Sequence, residues 1–171
     1  MARRVSLREF QESLARRLAE SREGEHRTLL GLQTPTENWV VDLADTGEVL
    51  PVPPVAPVPL TQPWYRGLVN VRGNLCGVVD FSLFHSGEAI ATGGSARILL
   101  VGARHGSGMA LLFSRATGLR SPEEFTREDV TDDRPWVESI LCDVQGHRWL
   151  KLDVAALTRN PAFLEAGILA T

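Results

Sequence analysis

Side chains able to do chemistry are present in this sequence, but none of them is grouped for it. The four histidines, His26, His85, His105 and His147, are scattered, and no two share the spacing of metal ligands. No GxSxG, HExxH or GK[ST] signature occurs. Ser107, His105 and Asp80 could be assembled into a triad on paper, but most chains of this length permit such a trio. The glycines of "GARHGSG" join two apolar runs and do not open a helix, so they make no phosphate cradle. Cys76 and Cys142 both lie in apolar runs without a CxxC neighbour. They read as two reduced core thiols, with a disulfide between them left open. Nothing here asks for a cofactor or a metal, and the expectation is a protein that is not an enzyme.

One stretch does carry a functional signal. In "GLVNVRGNLCGVVDF", Gly67 to Phe81, a strand, a tight turn and a second strand follow each other. Asn70 and Arg72 interrupt the apolar run just before the turn. Residues at a hairpin rim can leave the core. Arg72 would then offer its planar donor fork to a carboxylate or carbonyl, either on a partner or in its own turn. Asn70 is suited to bond the local backbone through its amide. Gly73 would supply a positive φ for the turn. Asp80 would cap the short "FSLFH" helix that follows.

The elements that must position these residues are short. β-branched or aromatic runs such as "RTLLGLQTP", "ENWVVDLAD", "RGLVNVRG", "NLCGVVDF", "ARILLVGARHG", "GMALLFSRATG", "VESILCDVQG" and "HRWLKLDV" are punctuated by Gly, Pro, Asn or Asp. That pattern predicts an all-β barrel or sandwich. "RHGSG" and "QGH" are expected hairpin turns. Pro51 to Pro63, "PVPPVAPVPLTQP", reads as an extended connector across a barrel end, with Val52, Val55, Val58 and Leu60 on an apolar face.

Helices are expected at both termini. Ser6 to Glu23 has a capping-box start at Ser6 and Glu9, and an apolar stripe of Leu7, Phe10, Leu14 and Leu18. This leading helix, residues 1–24, would pack on its own barrel or on a partner. At the other end Asp153 can cap "VAALTRN", and Pro161 can open "AFLEAG".

Bulk properties narrow the class. A chain of 171 residues buries a core without help from disulfides or metals. A net charge of −3 provides no basic excess for nucleic acid or anionic lipid. Arg66 and Arg72 are the only arginines between Glu37 and Glu88, and no lysine lies there, so the strands lack the interleaved cations of a single-strand binder. "MARRVSLREF" has no secretory-leader pattern, and no apolar run is long enough to cross a bilayer. The expected compartment is the cytoplasm.

"WYRGLVNVRGNLCGVVDF" resembles the signature of the CheW-like domain, the β-barrel adaptor of bacterial chemosensory arrays. Gly67, Asn70, Arg72, Gly73 and Asp80 occupy the matching positions. The likeness extends through "LLGLQTPTENWVVDLADTGEVLPVPP", "ARILLVGARHGSGMALLFSRATGLRSPEEF" and "HRWLKLDVAALTRNPAFLEAG", giving a domain over residues 27–168. It implies an all-β fold with terminal helices: two small five-stranded SH3-like barrels around a shared core. It implies a non-catalytic adaptor in a two-component signalling system, coupling the cytoplasmic tip of a methyl-accepting chemoreceptor to the regulatory domain of a CheA-type histidine kinase at inner-membrane arrays. It implies contacts to partners through Arg72 and through the first-barrel positions Val41, Leu43, Thr46 and Glu48, although Val41 and Leu43 by themselves read first as plain core. Thr46 and Gly47 depart from the family's usual apolar residue followed by a long polar one. The leading helix and "ALTRNPAFLEAG" resemble the CheW-like proteins of type IV pilus systems, which control twitching motility. The alternatives are the adaptor of a flagellar system or, from another class, a small-barrel nucleic-acid module.

Overall fold

The computed structural model describes residues 27–168. The expected leading helix, Ser6 to Glu23, lies outside them. The described chain forms two antiparallel-rich sheets with short helical turns between strands. One has six strands in the order β8-β1-β2-β11-β10-β9: β1 Leu29–Gln33, β2 Asn38–Asp42, β8 Arg115–Arg120, β9 Phe125–Arg127, β10 Val137–Asp143 and β11 Arg148–Leu152. The other has five in the order β3-β6-β7-β5-β4: β3 Thr46–Pro51, β4 Tyr65–Val71, β5 Asn74–Asp80, β6 Arg97–Val101 and β7 Met109–Phe113. The mostly β class and the paired small sheets are as expected, except that the first sheet has six strands and not five. The additional strand, β9, is a three-residue piece pairing with β10. It is too short to show a period of its own.

Each sheet curls. The outer strands of the first, β8 and β9, are separated only by Ser121 and the 3-10 turn Pro122–Glu124, so the ends of the sheet must approach each other. This curling gives central strands such as β2 and β7 two buried faces. In β7, Leu111 and Phe113 enter the main core, while Ala110 and Leu112 enter a second cluster inside the five-stranded sheet. In β2, Trp39 and Val41 face the main core, and Val40 faces a third cluster with Leu29, Leu141 and Trp149. The main core takes residues from both sheets and joins them. Strands buried on both faces read as continuous apolar runs without alternation, as these do.

The proline-rich connector is extended, and it pairs with β4 through reciprocal 2.8 Å backbone bonds between Ala56 and Leu68. Gly67 makes this approach possible: a Cβ there would lie 2.2 Å from the Ala56 carbonyl oxygen, and its φ is +130°. Val52 and Val55 pack on the second cluster. Leu60 does not share their face. It is 64% exposed at φ 57°, because the connector turns there to pair with the C-terminal segment at Thr61 and Gly167.

The C-terminal region forms two short helices, α2 Val154–Arg159 and α3 Pro161–Leu164. The Asp153 carboxylate accepts from Ala156 N at 2.9 Å. Asn160 caps α3 from Ala162 N, a cap missed in the sequence. The helix expected through "AFLEAG" stops at Leu164, since Ala166 leaves it to accept a 2.7 Å bond from Gln62 N. Cys76 and Cys142 are free.

The β10–β11 turn is pinned by one carboxylate. Asp143 accepts from Gln145 N at 2.9 Å, His147 N at 2.8 Å and Trp149 Nε1 at 3.0 Å. Burial alone would raise its pKa, but these donors prevail and hold it at about 2, against an ordinary 3.8. A depressed folded pKa contributes stability that is complete above pH ~4 and is lost as pH falls through ~2. The melting temperature of Asp143→Asn should therefore trail the parent most above pH ~4, and the gap should close toward pH ~2. A gap independent of pH across thermal melts in that window would contradict this.

Candidate functional site

The β4–β5 hairpin closes in a two-residue loop, Arg72–Gly73, between the paired Val71 and Asn74. Both loop residues have positive φ, 52° at Arg72 and 88° at Gly73, as a type I′ turn requires. Gly73 takes this conformation without penalty. Arg72 does not, since a left-handed φ is disfavoured by about 1–2 kcal/mol for an ordinary L-residue. Asn70 supports the loop, its Oδ1 accepting from Gly73 N at 2.8 Å. The turn therefore holds the arginine out from a braced frame, with its side chain 75% exposed.

Its partner within the fold is Glu48, whose Oε1 lies 2.7 Å from Arg72 Nη2. Glu48 belongs to β3, an outer strand of the same sheet. The register against β6 slips between Thr46 and Val49, and this bulge aims Glu48 outward. The ion pair thus links β3 to the hairpin of β4, the two outer strands of the five-stranded sheet. Both groups are well exposed, so its contribution to folding is small, about 0–1 kcal/mol. Leu75, opposite Asn70 in the pairing, adds an exposed apolar side chain beside the fork.

The remaining expected contact residues separate. Leu43 opens the 3-10 turn Leu43–Asp45 and is 39% exposed. Thr46 follows it and donates its hydroxyl to Leu43 O at 2.8 Å. Val41 is fully buried in the main core, so its side chain is not available at the surface where the resemblance put it. The reason is register: Val41 pairs with Leu30 on one side and Leu152 on the other, with Trp39 two residues before it on the same face.

Asp80 is fully buried at the far end of β5. Its Oδ1 accepts from Leu83 N at 3.0 Å and caps the helix α1 Phe81–Ser86. Its Oδ2 accepts from Ile90 N at 2.9 Å and lies 3.3 Å from Arg66 Nε. The trio assembled on paper does not converge: His105 bonds Asp45, while both Asp80 oxygens are engaged elsewhere. Asp45 was missed in the sequence. It receives Arg104 and His105 and so ties the β2–β3 turn to the β6–β7 turn. Burial pushes its carboxyl up, but His105 and Arg104 together hold it below the usual carboxylate range. Arg66 and Glu37 were also missed. Glu37 bonds His85 Nε2 at 2.8 Å and Arg134 Nη1 at 2.9 Å. No local signal could have found these pairs, because their members lie far apart in the chain.

What the site offers is a rigid cationic fork, a neighbouring carboxylate and an apolar residue on a barrel rim. A donor fork of this kind suits a carboxylate or carbonyl oxygen. Residues 28–162 match the family model of the CheW-like domain. The chain belongs to the CheW-like family. Its fold is similar to the crystal structure of the scaffolding protein TtCheW from Thermoanaerobacter tengcongensis, with a TM-score of 0.63 at 17% identity, covering 74% of this chain and 88% of that one. No curated protein matches the chain. Proteins of the CheW-like family are non-catalytic scaffolds that couple chemoreceptors to the CheA kinase. In this CheW-like chain the described residues include no helix long and apolar enough to cross a membrane.

Proposed function

We propose that this CheW-like chain is an adaptor bridging a methyl-accepting chemoreceptor tip and the regulatory domain of a CheA-type histidine kinase. It works in the cytoplasm, at arrays on the inner membrane. The observation that carries this reading is Arg72. It is three-quarters exposed and contributes little to folding, yet its backbone takes a disfavoured left-handed conformation, and that combination supports a role for its side chain outside the fold. Glu48, paired with Arg72, belongs to the same surface, and Leu43 and Thr46 precede it in the chain. Control of type IV pili is the favoured output, on the resemblance of "ALTRNPAFLEAG" and of the leading segment to pilus-system adaptors.

Calorimetric titration with the cognate kinase's regulatory domain tests the adaptor role. The expected dissociation constant is micromolar, about −8 kcal/mol, as suits an exchangeable contact. Neither heat nor a complex on gel filtration would overturn it. A strain lacking the gene should lose twitching and keep swimming; the reverse result would move the protein to a flagellar array.

A further inference from the structure

A second surface lies at one end of the six-stranded sheet. Two clefts of about 220 Å³ each open there and share Arg27 and Pro122. The floor of one belongs to the third cluster, where Leu29 and Leu141 are buried and Phe125 is only half-buried. The lip of the other carries Leu119, 62% exposed. On the wall, Lys151 Nζ bonds Asp42 Oδ2 at 3.1 Å and Glu138 at 3.0 Å. Asp42 Oδ1 is buried and has no hydrogen-bond partner among the described residues.

The preceding chain leads directly to this place. Residues 1–26 end at Arg27, which lines both clefts. Their sequence carries the stripe of Leu7, Phe10, Leu14 and Leu18, which needs an apolar surface to cover it. From Leu18 to Arg27 the chain can span up to roughly 30 Å, so the clefts are within reach. A tether this short raises the local concentration of the segment to about the millimolar range, which favours it over a second copy. The same segment carries three arginines, Arg16, Arg17 and Arg22, and the clefts carry the carboxylates of Asp42 and Glu138.

We propose that the segment from Ser6 to Glu23 docks in cis on these clefts, with its apolar stripe over Leu119, Pro122 and Phe125. This inference does not depend on the adaptor reading. The test uses the full chain with Leu119→Asp, Leu14→Asp and the double variant. Leu119 is a surface residue of the described fold, so its replacement leaves the barrels folded. Each single change should lower the melting temperature by about 4 °C. The double variant should melt no lower than the worse single, because both changes break one contact. Losses of strand or helix propensity would instead add, so additive shifts overturn the proposal. An unaffected melting temperature in Leu119→Asp overturns it as well. So does a halving of mass in Leu14→Asp by sedimentation, which would assign the stripe to a second copy.

Discussion

Arg72→Ala is expected to weaken kinase-domain or receptor-tip binding by about thirtyfold or more while leaving the melting temperature in place. Truncating one side of a desolvated charged contact typically costs ~2–5 kcal/mol of binding. Folding should not register the change, because the fork is 75% exposed and its ion pair with Glu48 is worth little in water. Arg72→Asn sharpens the test. Asparagine tolerates the left-handed conformation that arginine occupies at φ 52°, and Asn-Gly is a favoured pair for this turn. That variant should melt at or above the parent temperature and still fail to bind. Arg72→Lys should recover only part of the affinity, since a point charge cannot replace a two-pronged donor. Parental affinity for both partners in a well-folded Arg72→Ala protein would show that the site lies elsewhere. A fall in stability with normal binding would make Arg72 a brace for its own hairpin.

Opposed effects of that kind would explain why a hairpin carries an arginine at its tip. Stability alone would favour asparagine or glycine there. The sequence showed the arginine interrupting an apolar run, but not that it would sit in the turn itself at positive φ. That followed from the register of Val71 opposite Asn74, which places Arg72 and Gly73 at the two central positions.

What could be read beforehand was local. The bond from Gly73 N to Asn70, and the caps made by Asp80 and Asp153, each span three residues, and side-chain chemistry with spacing is enough to expect them. The pairs of Glu48 with Arg72, Glu37 with His85, and Asp45 with His105 were not legible, because only the pairing of distant strands brings their members together. Val41 illustrates another limit. With both faces of β2 buried, "NWVVD" shows no alternation, so the run itself does not tell an inward valine from an outward one. The short β9 gave no periodic signal, and the apolar face expected of the connector broke at Leu60, where tertiary pairing turned the chain.

The largest loss of stability is expected at Asp80. Its carboxylate is fully buried and joins three things: the start of α1 through Leu83 N, the returning loop through Ile90 N, and Arg66 on the outer strand β4. Asp80→Ala removes all three at once and leaves the Leu83 and Ile90 N–H groups without their acceptor, while Arg66, its side chain 30% exposed, keeps its bond to Ile90 O. A buried donor left unsatisfied costs ~1–3 kcal/mol, so two cost ~2–6 kcal/mol, a large part of the ~5–15 kcal/mol that holds a typical domain. Asp80→Asn should cost less, because its amide oxygen can still accept one of the two N–H bonds, although Arg66 loses its counter-charge. Denaturant unfolding of the two variants measures this, and a loss below ~1 kcal/mol for Asp80→Ala would show that neighbouring groups take over the bonds. The consequence extends to the rim. β5 is anchored by Asp80 at one end and leads from the Arg72 turn at the other, so the frame that holds the fork rigid depends on a carboxylate at its opposite end.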